Sequence, residues 1–157
     1  MSYIDSCLIK EETYMKKKIL FLCIHNSARS QIAEEYLRKF AGDEYEVESA
    51  GFNPSQINPF VIQVMKEDGI DLTNKQTQNV FDLYKAQKFY GYIITVCDRA
   101  EDEKCPTFPG LAKRIHWKLE DPAEFTGTNE EKLANVRVLR DKIKKLVEDF
   151  IIEQQSI

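Results

Sequence analysis

Residues 19–41 read ILFLCIHNSARSQIAEEYLRKFA, and this stretch decides the fold class. Its first four residues form a continuous apolar run, which is typical of a β-strand covered on both faces. From Ile32 to Ala41 the apolar residues instead recur at the spacing of an amphipathic helix, and Gly42 supplies a stop signal. A buried strand that leads directly into an amphipathic helix is typical of an α/β protein.

The same alternation of strand-like and helix-like segments continues along the rest of the chain. Further strands are predicted at residues 45–48, 92–96 and 114–117, and further helices at residues 59–69, 79–88 and 133–150. This alternation predicts a single α/β domain with a parallel sheet and helices on both faces. Ligands of such sheets bind beyond the carboxyl ends of the strands. Cys23 and Cys97 each follow a predicted strand directly, so we expect both of them at the functional edge of the sheet.

The composition of the chain limits its classes of function. Hydrophobic residues make up 43% of the 157 residues, which suits one domain with one hydrophobic core. The 22 basic and 26 acidic side chains leave a net charge of -4, which argues against binding of nucleic acid or of a membrane surface. Any anion must therefore be bound by a local arrangement of donors. No apolar run approaches the ~20 residues needed to cross a bilayer.

The N-terminal residues predict the compartment. They lack a basic segment followed by an apolar one, so they do not form a secretory signal, and we expect a cytoplasmic protein. Residues 1–15 show little periodicity and are predicted to be a poorly ordered extension ahead of a domain of residues 16–157, which leaves Cys7 without a role. In a reducing compartment, cysteines are more often catalytic, redox-active or metal-binding than part of structural disulfides.

The segment from Cys23 to Arg29 has the spacing C-x5-R between the first predicted strand and the first predicted helix. The backbone N–H groups of such a loop, together with the helix N-terminus, favour a tetrahedral anion. The guanidinium of Arg29 can take two anion oxygens at once, and the same positive field favours the nucleophilic thiolate of Cys23. The predicted substrate-binding residues are Ile24, His25, Asn26, Ser27, Ala28, Arg29 and Ser30. The alternative, a core cysteine beside a surface arginine, is disfavoured by the position between strand and helix.

The segment CIHNSARSQIAEEYL, residues 23–37, resembles the signature of the low-molecular-weight tyrosine phosphatase superfamily. Within it, NSARSQ-x-AE resembles the arsenate reductase branch. The resemblance continues through Ser49-Ala50-Gly51, Asn58-Pro59 and Asp121-Pro122, and covers nearly the whole chain from Lys16. It implies a four-stranded parallel sheet, Cys23 as the nucleophile, Arg29 as the oxyanion clamp, and Asn26 and Ser30 as supports of the loop.

Cleavage of an oxyanion bond also requires a proton for the departing oxygen. Asp121-Pro122 follows the last predicted strand, and proline would stiffen the loop that carries the acid. The family resemblance implies that Asp121 is the general acid. An ordinary Asp-Pro turn is the alternative, and Glu120 is the competing carboxylate.

Cys97 and Cys105 are separated by a largely charged segment of seven residues, which could bring the two sulfurs within disulfide range. The patterns T-V-C-D…C-P and H-W…E-D-P resemble the thioredoxin-coupled arsenate reductases, although the gap is one residue longer here. The resemblance implies that Cys97 releases arsenite from a Cys23–arsenic adduct. Cys105 would then form a disulfide with Cys97, and thioredoxin would reduce it.

Three alternatives compete with the reductase interpretation, and the sequence disfavours the first two, so no metal site is predicted. A zinc site formed by Cys97, Cys105 and His116 would lack a fourth ligand and a C-x2-C motif. A protein-tyrosine phosphatase usually has the tail Asp-Pro-Tyr-Tyr, whereas this chain has alanine and glutamate after Pro122. An oxyanion or redox sensor would use the loop for binding and the thiols as a switch.

The predicted ligands are arsenate as substrate, phosphate or sulfate as competing oxyanions, and thioredoxin as the external reductant. No tightly bound cofactor is predicted. Some members of the family bind potassium through residues that match Asn26, Glu34, Ser49 and an aspartate at the position of Gln78. The glutamine argues against a potassium site in this chain.

Overall fold

The computed structural model describes residues 16–97 and 108–155. The extension predicted for residues 1–15, and the roles considered for Cys7 and Cys105, lie outside the described residues. The strands are β1 (Lys17–Cys23), β2 (Tyr45–Gly51), β3 (Tyr92–Cys97) and β4 (Lys113–Lys118). The helices are α1 (Arg29–Ala41), α2 (Pro59–Lys66), α3 (Val80–Lys85) and α4 (Asn129–Gln155), with a 3-10 helix at Pro122–Glu124.

These four strands form one parallel sheet in the order β2-β1-β3-β4. The predicted four-stranded parallel sheet is therefore confirmed. The chain leaves β1 toward β2 and later returns on the other side of β1 to form β3, which opens a crevice at the carboxyl ends of the strands. Cys23, the last residue of β1, pairs with Gly51, the last residue of β2. The candidate nucleophile thus lies at the point where ligands of doubly wound sheets bind.

Alternate side chains of β1 belong to two separate cores, one on each face of the sheet. Phe21 and Cys23 belong to the larger core, which is covered by α1, α2 and α4. Leu20 and Leu22 belong to the smaller core, which includes residues of α3. A strand buried on both faces needs apolar side chains at successive positions, which explains the continuous apolar run. The predicted helices on both faces of the sheet are therefore confirmed.

Two helices are shorter than predicted because closing turns occupy their last residues. α2 ends at Lys66 and α3 at Lys85, whereas the patterns predicted ends at residues 69 and 88. Gly69, with a φ of 76°, and Gln87, with a φ of 56°, adopt the left-handed conformation that commonly closes a helix. The amide that follows each of them donates back to a helix carbonyl, at 3.1 and 3.3 Å.

α4 begins one turn before the first apolar residue of its pattern, Leu133. Its first turn is set by a capping box, in which the Glu131 N–H donates to Thr128 Oγ1 at 3.2 Å and the Thr128 N–H donates to Glu131 Oε1 at 3.5 Å. This turn is polar, so apolar periodicity could not reveal it. None of the helices in the described part of the chain combines the length and the apolar character that a membrane span requires.

A hydrogen bond from Tyr36 to Asp68 joins α1 to the turn that follows α2, at 2.5 Å. Burial, together with this hydrogen bond, raises the pKa of Tyr36 far above its ordinary value. The same hydrogen bond holds the pKa of Asp68 below its ordinary value. Tyr36 therefore stays a donor and Asp68 an acceptor throughout the physiological pH range, which keeps α1 in place against the turn.

The packing of α4 can be tested with Ile143→Ala. Ile143 is fully buried in the larger core, and loss of its side chain should leave a cavity that lowers the free energy of unfolding by about 2–5 kcal/mol. Val138 on the same helix is 68% exposed, so Val138→Ala should change the free energy of unfolding by less than about 0.5 kcal/mol. Urea denaturation of both variants measures the difference, and equal midpoints would contradict the packing described.

Candidate active site

The loop between β1 and α1 is held by its carbonyl groups. The carbonyl oxygens of Ile24, His25 and Ser27 accept hydrogen bonds from backbone N–H groups of residues 53–58, at 2.8, 3.0 and 2.9 Å. Because these carbonyl groups point toward the β2–α2 connection, the N–H groups of the loop are turned away from it. The N–H groups of His25, Ser27 and Ala28 donate to no acceptor within the described residues. This loop therefore presents backbone donors at the N-terminus of α1, as an anion requires.

The sulfur of Cys23 lies within reach of two hydrogen-bond donors. Asn26 has a φ of 52°, and this left-handed turn brings its backbone N–H to 3.1 Å from Cys23 Sγ. Ser30 Oγ lies 2.9 Å from the same sulfur. Ser30 Oγ already accepts a hydrogen bond from Asn26 Nδ2 at 2.8 Å, so its own proton is available for the sulfur. Both contacts place a hydrogen-bond donor beside the sulfur that would act as the nucleophile.

The Asn26 side chain connects the loop to three other parts of the fold. Its Nδ2 also donates to Ser49 Oγ on β2 at 2.9 Å. Its Oδ1 accepts from Gln31 Nε2 on α1 at 3.1 Å and from the Gln78 N–H at 2.9 Å. Asn26 is fully buried, so these partners satisfy an amide that water does not reach. The supporting role predicted for Asn26 is consistent with these contacts, but the role of Gln31 was not predicted.

Gly51 lies directly beneath the loop. A Cβ at this position would come within 2.6 Å of the Ile24 carbonyl oxygen and 2.8 Å of the Asn26 nitrogen, closer than real Cβ contacts. Only glycine therefore lets the end of β2 approach the loop so closely. The family resemblance includes Ser49-Ala50-Gly51, but the sequence offers no physical reason why position 51 must be glycine.

Arg29 and Asp121 meet beside the loop. Arg29, the first residue of α1, is 3% exposed, and its Nη1 donates to the Leu119 carbonyl oxygen at 3.1 Å. Its Nη2 lies 3.7 Å from Asp121 Oδ2, and Asp121 Oδ1 accepts from the Ala123 N–H at 3.0 Å. Asp121 therefore both caps the N-terminus of the 3-10 helix and faces Arg29, the candidate clamp. Glu120, the competing carboxylate, is exposed, and the ion pair with Arg29 is made by Asp121.

Cys97 lies at the same edge of the sheet as Cys23 but on a different strand. It ends β3 and is buried, and its carbonyl oxygen accepts from the Leu119 N–H at 3.0 Å. Ile94 and Val96 share the larger core with Cys23, so strand alternation places the Cys97 side chain on the opposite face. The structure thus brings Cys97 to the functional edge without directing it at Cys23.

His116 does not form part of a metal centre in the described part of the chain. Its Nδ1 lies 2.8 Å from Thr95 Oγ1 on the neighbouring strand β3. Among the residues that the structure describes, no group of three or more His, Cys, Asp or Glu side chains could hold a metal ion. The thiol, the inward N–H groups, the guanidinium and the carboxyl group instead form an arrangement suited to nucleophilic attack on an anion.

Comparison with known proteins gives one family for this arrangement. The sequence pattern described as "Low molecular weight phosphotyrosine protein phosphatase" matches residues 18–156. An arsenate reductase of Halalkalibacterium halodurans is 44% identical over 135 residues, which cover 86% of this chain and 95% of that protein. An arsenate reductase of Bacillus subtilis is 42% identical over 140 residues, which cover 87% of this chain and 96% of that protein.

Solved structures of similar fold agree with these sequence relationships. An arsenate reductase in its phosphate binding state superposes with a TM-score of 0.71 and 28% identity, covering 88% of this chain and 98% of that one. A thioredoxin-dependent arsenate reductase of Corynebacterium glutamicum gives a TM-score of 0.57 at 28% identity, covering 85% of this chain and 62% of that one. A tyrosine phosphatase of Erwinia amylovora, at 17% identity and a TM-score of 0.68, shows the shared fold alone.

The contact between Gly51 and the loop predicts the effect of Gly51→Ala. The added methyl group would displace the Ile24 carbonyl and the Asn26 amide, so we expect the free energy of unfolding to fall by about 1–3 kcal/mol. Phosphate should then raise the melting temperature less than it does in the unsubstituted protein, because the displaced loop binds anions more weakly. Differential scanning fluorimetry with and without phosphate measures both effects.

Gly91→Ala is the matched control for this experiment. Its added Cβ would lie 3.6 Å from the Lys18 carbonyl oxygen, an ordinary van der Waals contact. This variant should keep the full response to phosphate. An equal response in the Gly51 variant would show that the close contact does not shape the loop.

Proposed function

The chain belongs to the low molecular weight phosphotyrosine protein phosphatase family, and on this premise we propose that it is an enzyme that reduces arsenate to arsenite. One observation carries the proposal: Cys23 Sγ accepts from Asn26 and contacts Ser30, in a loop that ends at Arg29 and whose carbonyl groups are already hydrogen-bonded on the side of residues 53–58. Relatives that are about 40% identical over most of the chain are arsenate reductases, which favours arsenate as the anion.

Substrate binding would use the donors of the loop. The N–H groups of residues 24–30 other than Asn26, which donates to the sulfur, would hold the oxygens of arsenate together with the N-terminus of α1. The Arg29 guanidinium would take two of these oxygens. The Arg29–Asp121 contact of 3.7 Å is longer than a hydrogen bond, so it can give way to an oxyanion at little cost. Phosphate and sulfate have the same tetrahedral shape and would compete for this loop.

The first chemical step would be nucleophilic attack. The Cys23 thiolate forms a bond to arsenic, and one arsenate oxygen leaves as water with a proton supplied by Asp121. Asp121 is suited to this role because its carboxyl group faces the guanidinium that would hold the same anion. Arsenic remains pentavalent in the Cys23 adduct.

The reduction itself would follow from attack by a second thiol. The Cys97 thiolate attacks Cys23 Sγ, the electron pair of the sulfur–arsenic bond passes to arsenic, and trivalent arsenite leaves. Cys105 then attacks Cys97, which releases Cys23 and leaves a Cys97–Cys105 disulfide. Thioredoxin reduces that disulfide by the same exchange, so two thiols supply the two electrons of each turnover.

This relay requires a movement of Cys97. Strand alternation places its side chain on the opposite face of the sheet from Cys23, so the end of β3 must change conformation before the attack. The second thiol would thereby stay away from the loop until the arsenic adduct has formed. A reducing cytoplasm would suit such a cycle, and we propose that location for the protein.

Two other functions have less support. A tyrosine phosphatase would need aromatic residues after Pro122 to guide the substrate, and Ala123 and Glu124 are exposed there instead. A sensor would bind the oxyanion once and stop, whereas an enzyme would turn over repeatedly in the presence of thioredoxin.

The proposed activity can be tested by arsenate-dependent oxidation of NADPH with thioredoxin and thioredoxin reductase. We expect sustained oxidation with the unsubstituted protein and none with Cys23→Ser, because a serine hydroxyl is not an adequate nucleophile at neutral pH. Circular dichroism should show that the variant keeps the fold. Sustained turnover by Cys23→Ser, or none by the unsubstituted protein, would contradict the proposal.

The relay predicts different defects for the two later cysteines. Cys105→Ser should release one arsenite per enzyme and then stop, with Cys97 disulfide-linked to Cys23. Cys97→Ser should stop earlier, at the Cys23–arsenic adduct. Rapid-quench measurement of arsenite and peptide mapping of the disulfides would distinguish these outcomes. If both variants kept thioredoxin-coupled turnover, the resolving thiol would have to come from outside the protein.

Both variants should also retain any slow hydrolysis of a small aryl phosphate that the unsubstituted protein shows. That reaction needs Cys23, Arg29 and Asp121, and water resolves the phosphoenzyme. Loss of this hydrolysis in either variant would indicate general damage to the loop instead of a broken relay.

A further inference from the structure

Glu34 is a buried carboxylate on α1 whose charge is matched by cations of the protein. Its side chain is 4% exposed. Arg38 donates to Glu34 Oε2 at 2.5 Å, and the Lys75 ammonium contacts the same oxygen. Glu35, the next residue of α1, accepts from Arg38 and Lys75 at 2.7 and 2.8 Å. These four side chains form a charge cluster that is neutral only while Lys75 contributes its positive charge.

The residues that would hold potassium by family resemblance do not fit a cation here. Asn26 Oδ1 already accepts from Gln31 at 3.1 Å and from the Gln78 N–H at 2.9 Å. The Ser49 carbonyl oxygen accepts from Gln78 Nε2 at 3.1 Å, and the Ser49 hydroxyl donates to Glu34. The oxygens that would coordinate a cation thus already accept hydrogen bonds from donors of the protein. The side-chain amide of Gln78, which donates, occupies the position where some members of the family have an aspartate.

One buried side-chain oxygen in the described part of the chain, Gln31 Oε1, has no hydrogen-bond partner. Its amide is oriented by Nε2, which donates to Asn26 O and Oδ1, both at 3.1 Å. A single oxygen does not form a coordination shell, since hard cations in proteins take about six oxygen ligands. Gln31 therefore does not restore the site.

We propose that the ammonium group of Lys75 takes the place of the monovalent cation and acts as a positioning residue for Cys23. Lys75 supplies a positive charge in direct contact with the buried carboxylate of Glu34, which offsets the cost of burying that charge. An ionised carboxylate can only accept hydrogen bonds, so the Ser49 hydroxyl must donate to it. The proton of Ser49 is thereby committed to Glu34, away from the loop.

The direction of the remaining hydrogen bonds follows from this commitment. Ser49 Oγ accepts from Asn26 Nδ2 at 2.9 Å, and the other proton of the same amide goes to Ser30 Oγ at 2.8 Å. The proton of Ser30 is then left for the sulfur of Cys23, 2.9 Å away. The charge of Lys75 therefore reaches the nucleophile through five hydrogen bonds: Lys75 and Ser49 both donate to Glu34, Asn26 Nδ2 donates one proton to Ser49 and the other to Ser30, and Ser30 donates to Cys23.

The inference rests on the proposed function only where turnover is measured. The neutral charge cluster and the reactivity of Cys23 can both be followed without arsenate. A chain that carries its own ammonium should also respond alike to all monovalent cations, whereas removal of that ammonium should produce a response specific to potassium. A residue that merely packs beside the loop would give no such response when it is replaced.

The test compares Lys75→Met with Lys75→Arg. Lys75→Met leaves one uncompensated negative charge beside the loop, so we expect a lower melting temperature and an alkylation of Cys23 by iodoacetamide that is about tenfold slower. Lys75→Arg keeps the charge and should restore most of both. Lys113→Met removes the same charge from the start of β4, at the opposite edge of the sheet, and should change neither measurement.

Potassium chloride and tetramethylammonium chloride at equal ionic strength supply the decisive comparison. The unsubstituted protein should melt at the same temperature in both salts. Lys75→Met should recover part of its lost melting temperature and alkylation rate in potassium, but not in the bulky organic cation. Lys75→Met/Glu35→Gln, which restores the charge balance, should recover both measurements without potassium.

Potassium-specific stabilisation of the unsubstituted protein would overturn the proposal, because a cation site would then exist beside Lys75. A Lys75→Met variant indistinguishable from Lys113→Met would overturn it as well. If the expected melting and alkylation results appear while arsenate is not reduced, the proposed function fails and the role of Lys75 stands.

Discussion

The left-handed turn at Asn26 is the constraint on which the rest of the site depends. A φ of 52° is unusual for a residue with a side chain, and asparagine is among the few that tolerate it. The turn brings a backbone N–H to the sulfur of Cys23, and the same residue sends its amide to Ser30 and Ser49. Glycine would allow the turn without the amide, and aspartate would lack the donors. The geometry therefore requires one residue type for two reasons at once.

The proposed oxyanion site is compatible with an acidic protein because the charges near the loop differ from the net charge. The chain carries a net charge of -4, yet the loop combines the N-terminus of α1 with the buried guanidinium of Arg29. Behind the loop, Lys75 and Arg38 offset the two carboxylates of Glu34 and Glu35. The proposed anion site thus has a neutral cluster behind it. Without that compensation, the same fold would place negative charge behind the substrate.

The order of the strands gives the proposed relay its geometry. Cys23 and Cys97 end the adjacent strands β1 and β3, so both lie at the carboxyl edge where ligands of such sheets bind. Alternation nevertheless places their side chains on opposite faces. In the proposed cycle this arrangement separates the two thiol reactions in time, because the second thiol must move before it reacts. The carbonyl oxygen of Cys97 also accepts a hydrogen bond from the Leu119 N–H. Because Leu119 lies two residues before Asp121, this hydrogen bond links the end of β3 to the segment that carries the candidate acid.

The sequence by itself determined the α/β class, the parallel sheet and the position of Cys23, because strand and helix periods are local and the C-x5-R spacing lies within one turn-forming segment. It also indicated Arg29 and Asp121, which the structure brings together. Helix ends were less exact, since the closing turns at Gly69 and Gln87 depend on φ angles that apolar spacing does not encode. Only the tertiary structure showed that Lys75 contacts Glu34, which lies 41 residues earlier in the chain. Only the tertiary structure likewise showed that position 51 has no room for a side chain. Such contacts join distant segments by packing and charge, and no local pattern carries that information.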